Sequence, residues 1–333
     1  MREKLSTRIY GTLGPACQSA ETLEALLRLG MSGVRLNLSH ITLPQAAGEL
    51  AALRQAEEAA GVRAELLIDM RGPELRIGSL AAPLLLKAGE TLSLGCLALP
   101  QEVLAELETG QELLLDDGKL LLTVVRGGKA HVNRGGVLQG RKSVALPGKK
   151  IRLPALTGED LQNIALAAEY GVTGLMQPFV RSRADLEAVR AALAAAGCGG
   201  LRLLAKVENR EGMEQLPELL PACDEIVIAR GDLGNAMPLW ELPEAQKRIA
   251  AQCRAARRDF MVVTQMLASM EQNPVPTRAE VSDIFNAVLD GASSVMVTGE
   301  TAVGRYPVEA MRYLVNTVRQ AERFREEQKE VPT

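Results

Sequence analysis

Aromatic residues are scarce in this 333-residue sequence, which contains one Trp, four Tyr and four Phe. Apolar residues nevertheless make up 47% of the chain, so a hydrophobic core would have to be packed mainly by Leu, Ala and Val. Such a composition is common in repetitive α/β folds. The length allows one large domain with room for a small insertion.

Segments that would direct the chain into or across a membrane are also missing. No apolar run reaches the length of a membrane span, and the first residues, MREKLSTRIYGTLG, lack the apolar stretch of a secretory signal. The five cysteines are widely separated and form no CxxC pair. This spacing favours reduced thiols over disulfides or a zinc site. We therefore expect a cytoplasmic protein without a membrane partner.

Neither sign of charge dominates the composition. The formal net charge is −3 at pH 7, from 38 Lys and Arg against 41 Asp and Glu. A domain that binds nucleic acid usually carries a clear basic surplus. We therefore expect no nucleic-acid partner.

Short apolar runs between turn residues recur along the sequence and predict β-strands. The predicted strands span 7–14, 33–39, 64–70, 171–177, 201–208, 224–230, 259–265 and 293–299. Helical patterns lie between most of them, and several open with a capping-box pattern, as at Thr157–Asp160, Ser182–Asp185 and Thr277–Glu280. Eight strands alternating with helices predict an α/β fold of the (β/α)8 TIM barrel type, with an open doubly wound sheet as the alternative.

The alternation is interrupted once, after the third strand. Between 76 and 147 the helical patterns thin out, and LLLDDGKLLLTVV and VVRGGKAHV each join two apolar runs through a DG or GG turn. We predict a small all-β domain at 76–147, inserted into a barrel formed by 1–75 and 148–333. An insertion after a barrel strand lies on the face that carries active sites, where it can act as a lid.

Polar residues collect at the carboxyl ends of the predicted strands. In AKVE, Lys206 and Glu208 are two positions apart and so share one face of the fifth strand. Other strands end in further polar residues: Arg35, Asn37, Ser39, Asp69, Arg230, Gly231, Asp232 and Thr264. Because the strand ends of a barrel converge, we expect these residues to line one pocket.

Each of these residues alone also has a structural explanation. Asp232 suits a helix N-cap, and Lys206 with Glu208 suits a simple ion pair. Asn37 and Ser39 suit the satisfaction of backbone groups in a loop. The coincidence of polar residues on five or six strand ends favours a site over these separate explanations.

The residue types indicate what such a pocket would bind. Glu208 and Asp232 suit a divalent cation such as Mg²⁺ that keeps water or substrate ligands. The amides of Gly231 and Asp232, at a helix start, can hold an anion. Arg35 and Lys206 supply positive charge where a phosphoryl group develops negative charge. Three further oxygen donors suit a monovalent cation: Asn37, Ser39 and Asp69. The pattern predicts a site for a small phosphorylated acid.

Longer stretches around these residues resemble the pyruvate kinases. The resemblance is carried by 7–40, DMRGPELRIG (69–78), LLLDDG (113–118), 146–164, AKVENREGMEQL (205–216), EIVIARGDLG (225–234) and 264–307. It covers nearly the whole chain in order. It implies a barrel with an inserted lid, and phosphoryl transfer from phosphoenolpyruvate to ADP, giving pyruvate and ATP in glycolysis.

The resemblance also implies roles for individual residues. Lys206 would neutralise the transferring phosphoryl group and then the enolate of pyruvate, Arg35 would contact the phosphoryl group, and Thr264 would help deliver a proton. Glu208 and Asp232 would hold Mg²⁺ or Mn²⁺, with Gly231 binding substrate. The K⁺ ligands would be Asn37, Ser39, Asp69 and the carbonyl of Met70. The nucleotide would face Pro15, Asn37, His40, Arg76 and Lys142.

The sequence ends soon after the eighth helix of the barrel pattern. We therefore expect the C-terminal regulatory domain of the family to be absent, and regulation through it with it. Family members associate through barrel as well as C-terminal surfaces, so we expect a homo-oligomer, with a dimer favoured over a tetramer.

Two alternatives to a pyruvate kinase are open at this stage. One is a paralogue that keeps the enolpyruvate and metal site but uses another acceptor or reaction; Arg76, Lys142 and the DDG hairpin speak instead for a nucleotide. The other is a non-catalytic binding module. It is disfavoured because burying so many charged groups without a ligand costs free energy.

Overall fold

The computed structural model describes residues 5–39, 41–73, 75–116, 118–149, 151 and 153–330. The chain divides into two compact units, one formed by Met1–Gly72 with Ala155–Thr333 and the other by Pro73–Pro154. The predicted insertion at 76–147 falls inside the second unit.

The β-strands of the described residues fall into a barrel and two small sheets. They are β1 (Arg8–Thr12), β2 (Gly33–Asn37), β3 (Glu65–Asp69), β4 (Leu84–Leu86), β5 (Thr91–Ser93), β6 (Glu112–Leu115), β7 (Leu120–Val125), β8 (Lys129–Arg134), β9 (Gly136–Leu138), β10 (Val144–Ala145), β11 (Gly174–Gln177), β12 (Arg202–Val207), β13 (Glu225–Ala229), β14 (Asp259–Val263) and β15 (Ser294–Met296). Parallel pairing in the order β1-β2-β3-β11-β12-β13-β14-β15 closes the barrel. The prediction of a (β/α)8 barrel is confirmed, and the open doubly wound sheet is excluded because β15 pairs with β1.

The helices of the described residues are α1 (Ala20–Leu29), α2 (Ala47–Ala60), α3 (Gln101–Glu106), α4 (Gly158–Leu166), α5 (Arg183–Ala195), α6 (Arg210–Glu214), α7 (Leu216–Leu219), α8 (Arg230–Asn235), α9 (Leu242–Ala255), α10 (Arg278–Leu289), α11 (Gly299–Ala302) and α12 (Pro307–Glu330). All but α3 belong to the first unit. None of these helices combines the length and the apolar character needed to cross a membrane.

Two of the three predicted capping boxes form. Thr157 and Asp160 cap α4 reciprocally, as do Thr277 and Glu280 at α10. The prediction at Ser182 is wrong, because its side chain makes no capping hydrogen bond at α5. There, the Asp185 carboxylate is occupied by the backbone amide and the guanidinium of Arg181.

Side chains of the barrel strands alternate between two apolar layers. The inward-facing residues form a closed interior cluster: Tyr10, Leu67, Met176, Leu204, Val227, Ala229, Met261, Val263 and Met296. The alternate residues, such as Ile68, Leu203 and Ile228, join a larger cluster with the surrounding helices. This period of two fixes which residues just beyond the apolar layer also point inward.

The amino-terminal end of the barrel is closed by a network of charged side chains. Glu225 is fully buried. One of its oxygens is bound by Arg8 and Arg202, and the other by the hydroxyls of Ser293 and Ser294. A further link is formed by Tyr10, whose hydroxyl donates to Glu65 at 2.8 Å, and Arg8 also reaches Asp259 at 2.9 Å. We refer to Arg8, Tyr10, Glu65, Arg202, Glu225 and Asp259 as the base network.

The second unit is built on antiparallel hairpins. β6 pairs with β7, the strands on either side of the DDG motif, and β7 pairs with β8 across the GG turn. Both pairings are those that the sequence predicts. The five-stranded sheet has the order β10-β6-β7-β8-β5, beside a two-stranded sheet of β4 and β9. Its own core includes Leu113, Leu115, Leu122 and Val132. Besides its strands, this unit contains the short helix α3.

Candidate active site

The predicted site residues of the barrel continue the inward-facing positions of its strands. On β12, Lys206 follows Leu204 of the interior cluster by two positions, and Glu208 follows by two more. On β3, Asp69 follows Leu67 in the same way. The sequence alternation therefore carries charged side chains from separate strands to one end of the barrel.

Lys206 lies between two carboxylates. Its Nζ donates to both carboxylate oxygens of Asp69, at 3.0 and 3.2 Å, and lies 2.9 Å from Oε1 of Glu208. Burial by itself would lower the pKa of Lys206, but the charges of Asp69 and Glu208 outweigh it and raise the pKa above the usual lysine range. Lys206 is therefore a fixed positive charge in a nearly closed site.

Glu208 is the least satisfied carboxylate of this cluster. Its Oε2 accepts a hydrogen bond of 2.7 Å from the amide of Phe179, whose φ of 50° is unusual for a residue with a side chain. Its Oε1 is buried and accepts no hydrogen bond from the described residues, and its charge is balanced by the ammonium of Lys206 at 2.9 Å. Burial raises the pKa of Glu208, as do the charges of Asp232 and Asp69, against the attraction of Lys206. A further positive charge at Oε1 would relieve this unfavourable position.

Asp69 joins Lys206 to Arg35. The guanidinium of Arg35 donates to Oδ2 of Asp69 from Nε at 2.8 Å and from Nη2 at 2.6 Å, and its Nη1 reaches the hydroxyl of Thr12 at 3.4 Å. Burial would raise the pKa of Asp69, but Lys206 and Arg35 outweigh it and hold the pKa below the usual range. Arg35 and Lys206 are therefore brought together through one ionised carboxylate.

The oxygen donors predicted for a monovalent cation lie next to Asp69. Asn37 is its direct neighbour in the register of β2 and β3. The side-chain oxygen of Asn37 already accepts the amide of Ser39 at 3.1 Å. Met70 is buried, and its amide donates to the carbonyl of Met176 at 3.0 Å.

Gly231 and Thr264 meet at the ends of β13 and β14. A Cβ added to Gly231 would lie 2.9 Å from Cγ2 of Thr264, so the two residues pack as closely as a glycine allows. The negative charge of the next residue, Asp232, raises the pKa of both Lys206 and Glu208. Gly231, Asp232 and Thr264 thus lie at the same end of the barrel as Lys206, Asp69 and Glu208, which we call the Lys206 cluster.

The residues expected to face a nucleotide belong to both units. Pro15 is exposed in the turn after β1, where the neighbouring Ala16 donates to the carbonyl of Ala302. His40 lies outside the described residues. In the second unit, Arg76 donates to the carbonyl of Arg141 at 2.9 Å. A second cation of that unit, Lys142, lies 2.9 Å from Asp116.

The donor set fits a divalent cation only with help from outside the protein. Among the described residues, no group of three or more His, Cys, Asp or Glu side chains is arranged to hold a metal ion. Glu208 and Asp232 supply two carboxylates, and Oε1 of Glu208 is paired with Lys206 but accepts no hydrogen bond from the described residues. Mg²⁺ commonly takes one or two carboxylates and completes its shell with water and substrate oxygens.

Three contacts of the site were not foreseen from the sequence. They are the hydroxyl of Thr12 on Arg35, the amide of Phe179 on Glu208, and the guanidinium of Arg230 on the carbonyl of Thr264. For two of these contacts the sequence offers a signal, because Thr12 and Arg230 are polar residues at the ends of predicted strands. Nothing in the sequence pattern marks the amide of Phe179.

Comparison with known proteins gives a consistent result. The family model described as "Pyruvate kinase, barrel domain" matches residues 4–311. Pyruvate kinase from Aeropyrum pernix is 39% identical over 92% of this chain and 69% of its own length. Pyruvate kinase from Geobacillus stearothermophilus is 36% identical over 93% and 56%, and human pyruvate kinase PKLR is 37% identical over 95% and 60%. The chain thus spans between about half and about two thirds of the length of these relatives.

The fold and the site define a (β/α)8-barrel protein with a cluster of charged residues at the carboxyl ends of its strands, where barrel enzymes carry out their chemistry. With the family match and the identities above, the particular family follows. The chain belongs to the pyruvate kinase family.

Proposed function

We propose that this protein transfers the phosphoryl group of phosphoenolpyruvate to ADP, giving pyruvate and ATP, the reaction of glycolysis for which its relatives are named. The observation that carries the proposal is the position of Lys206, between Asp69 and Glu208 and linked through Asp69 to Arg35. A closed group of fixed charges of this kind can stabilise a phosphoryl group in transfer.

Each basic group has a distinct task in this proposal. Lys206 neutralises charge on the transferring phosphoryl group and then on the enolate oxygen of pyruvate. Arg35 contacts the phosphoryl oxygens. The amides of Gly231 and Asp232, in the first turn of α8, bind the substrate carboxylate.

The enolate left after phosphoryl transfer must gain a proton at its methylene carbon to become pyruvate. Thr264 packs against Gly231, beside the proposed carboxylate position. We assign its hydroxyl to orienting the water that delivers this proton.

Two kinds of cation belong to the proposal. Glu208 and Asp232 would hold Mg²⁺ or Mn²⁺, which supplies charge neutralisation to the phosphoryl and carboxylate oxygens when it is bound. Oε1 of Glu208 accepts no hydrogen bond from the described residues, which supports this assignment. K⁺ would be bound by Asn37, Ser39, Asp69 and the carbonyl of Met70.

The nucleotide, the assembly and the location complete the proposal. ADP and ATP would contact Pro15, Asn37, His40, Arg76 and Lys142. The homodimer and the cytoplasmic location expected from the sequence are kept as proposals, which mass measurement in solution and cell fractionation would test. The paralogue with another acceptor is not favoured, because the relatives compared above are all named pyruvate kinase.

An assay of pyruvate formation from phosphoenolpyruvate and ADP tests the function directly. We expect pyruvate with Mg²⁺ present, more with K⁺ added, and none after the divalent cation is removed by a chelator. Lys206→Met should abolish the reaction while leaving near-ultraviolet circular dichroism unchanged. The matched control is Lys247→Met, because Lys247 pairs with Asp290 on the helical surface.

Two outcomes would contradict the proposal. The first is wild-type protein that binds phosphoenolpyruvate but makes no pyruvate with any nucleoside diphosphate, which would restore the paralogue. The second is full activity in Lys206→Met, which would remove Lys206 from the chemistry.

A further inference from the structure

Thr264 has an unusual backbone conformation. Its φ is 77°, and that of the next residue, Gln265, is 56°. Positive φ is disfavoured for any residue with a Cβ and most strongly for β-branched residues such as threonine. A residue in such a region is strained and persists only when surrounding contacts hold it there.

The contact that holds Thr264 is a forked pair of hydrogen bonds from Arg230. Nε and Nη2 of Arg230 both donate to the carbonyl oxygen of Thr264, at 3.1 and 2.8 Å. The guanidinium is buried, and its Nη1 donates to Oδ2 of Asp283, on α10, at 2.5 Å. The fork is therefore fixed at its far side by an ion pair with a separate helix.

The side chain of Thr264 is limited from the opposite direction. Its Cγ2 lies so close to Gly231 that a Cβ there would come within 2.9 Å. Arg230 and Gly231 are consecutive residues of α8, so one helix start grips the carbonyl of Thr264 and also supports its side chain. Because Cγ2 and the hydroxyl are both bonded to Cβ, the contact of Cγ2 with Gly231 also restricts the position of the hydroxyl.

We propose that Arg230, held by Asp283, is a positioning residue that keeps Thr264 in its strained conformation and so aims its hydroxyl at the enolate. This inference rests on the proposed function, in which Thr264 acts on the proton step. It gives a use to the Arg230 side chain, whose hydrogen bonds go to Thr264, Asp283, Gln246 and Met266.

The test uses Arg230→Lys, which keeps the charge but cannot make the fork. Arg190→Lys is the matched control, because Arg190 also bonds one carboxylate, Asp224 at 2.7 Å, and one carbonyl, Leu201 at 3.2 Å. Each variant weakens the bonds of a guanidinium to one carboxylate and one carbonyl, but only Arg230 bonds Thr264. Arg230 also reaches Gln246 and Met266, which Arg190 does not. Asp283→Asn is a milder second variant should Arg230→Lys fold poorly.

We expect Arg230→Lys to lower kcat by about 100-fold, the effect of a small misplacement of a group near the reaction, with little change in the KM for phosphoenolpyruvate. The effect should depend on Thr264. In a Thr264→Ala background, adding Arg230→Lys should change kcat by no more than about twofold, which is the scatter of additive mutations. Arg190→Lys should leave kcat unchanged.

A merely structural role for Arg230 predicts something else. In that case the folded fraction would fall while kcat per folded molecule stayed constant, or the losses from Arg230→Lys and Thr264→Ala would multiply. Either result overturns the inference.

A readout without activity separates this inference from the proposed function. Crystal structures of the wild type and of Arg230→Lys should show a positive φ at Thr264 only in the wild type. If the variant keeps that φ and the contact with Gly231, Arg230 is not what positions Thr264, whatever reaction the protein catalyses. If instead the wild type makes no pyruvate while the φ changes as expected, the proposed function fails and the positioning role stands.

Discussion

The two ends of the barrel carry similar charged residues but differ in how the buried carboxylates are hydrogen-bonded. At the base, Arg8 and Arg202 face Glu65, Glu225 and Asp259. At the opposite end, two cations also face three carboxylates: Arg35 and Lys206 against Asp69, Glu208 and Asp232. The strand β12 contributes to both, with Arg202 at its start and Lys206 near its end. Formal charge therefore does not distinguish the two clusters.

The difference lies in how the buried carboxylates are bonded. Both oxygens of Glu225 accept hydrogen bonds, from two arginines and two serines. Glu208 is also buried, but its Oε1 accepts no hydrogen bond from the described residues and has only the ion pair with Lys206. A satisfied buried network stabilises a fold, whereas an unsatisfied buried oxygen lowers stability and is expected where a ligand will bind. The comparison assigns stability to the base and binding to the other end.

The largest effect that would test this assignment is expected for Glu208→Gln. Removing the negative charge should reduce kcat/KM by roughly 10²- to 10³-fold, because a buried electrostatic contact to the reacting group is lost. Stability should be unchanged or higher, since Lys206 keeps Asp69 as its partner and a carboxylate with a raised pKa is removed. Steady-state kinetics and urea unfolding measure the two quantities on one preparation. A marked loss of stability with activity intact would reverse the assignment.

Arg202→Met should have the opposite pattern. It leaves Glu65 and Glu225 without their shared cation, so we expect a loss of about 3 kcal/mol in the free energy of unfolding, the lower end for a broken buried pair because Arg202 is partly exposed. Activity per folded molecule should stay close to wild type. It is obtained by dividing the measured activity by the folded fraction from urea unfolding. Loss of activity in a fully folded variant would show that the base network contributes to catalysis.

The loss of stability in Arg202→Met should also depend on pH, in a direction that the pKa of Glu225 determines. Burial raises the pKa of Glu225 even with Arg8 and Arg202 present, and removing Arg202 should raise it further. A carboxyl whose pKa is higher in the folded than in the unfolded state contributes most stability below the unfolded value and loses it as pH rises through the folded value. The stability difference between wild type and Arg202→Met should therefore be larger at about pH 8 than at about pH 5. An equal difference at both would exclude Glu225 as the cause.

The comparison also explains which parts of the molecule were predictable from sequence. The eight barrel strands were predicted because each is a short apolar run between turn residues, and such runs depend on local composition. Lys206 and Glu208 were placed on one face by the strand period of two, and the structure confirms that they are adjacent. The roles proposed for them are predictions that the activity assays must test.

Contacts between distant segments were not predictable. The base network joins residues 8, 10, 65, 202, 225 and 259, whose positions opposite one another depend on the barrel register. The same is true of Arg230 and Thr264, which meet only because β13 and β14 are neighbours. At Ser182 a local pattern was overridden, since Arg181 occupies the carboxylate that the capping box needs. A single sequence gives no register and so no such pairs.

Gly231→Ala would sharpen the comparison at the functional end. Alanine favours a helix over glycine by roughly 0.5–1 kcal/mol, but the new Cβ must displace Thr264. We expect equal or higher stability together with a loss of kcat of about tenfold, smaller than for Glu208→Gln because no charge is removed. Gly234→Ala is the control in the same helix, where the nearest atom to a new Cβ, on Leu242, is 3.4 Å away. A loss of activity in both variants would point to α8 as a whole rather than to Thr264.

The smallest effect is expected at the exposed edge of the base network. Asp259 pairs with Arg8 at 2.9 Å, but its side chain is 55% exposed, whereas Glu225 is fully buried. Exposed ion pairs contribute about 0–1 kcal/mol, so Asp259→Asn should shift the free energy of unfolding by less than about 1 kcal/mol, and added salt should reduce the shift further. Urea unfolding at low and high salt measures it. A shift as large as that of Arg202→Met would mean that the base acts as one cooperative unit, and burial would no longer separate its stabilising centre from its edge.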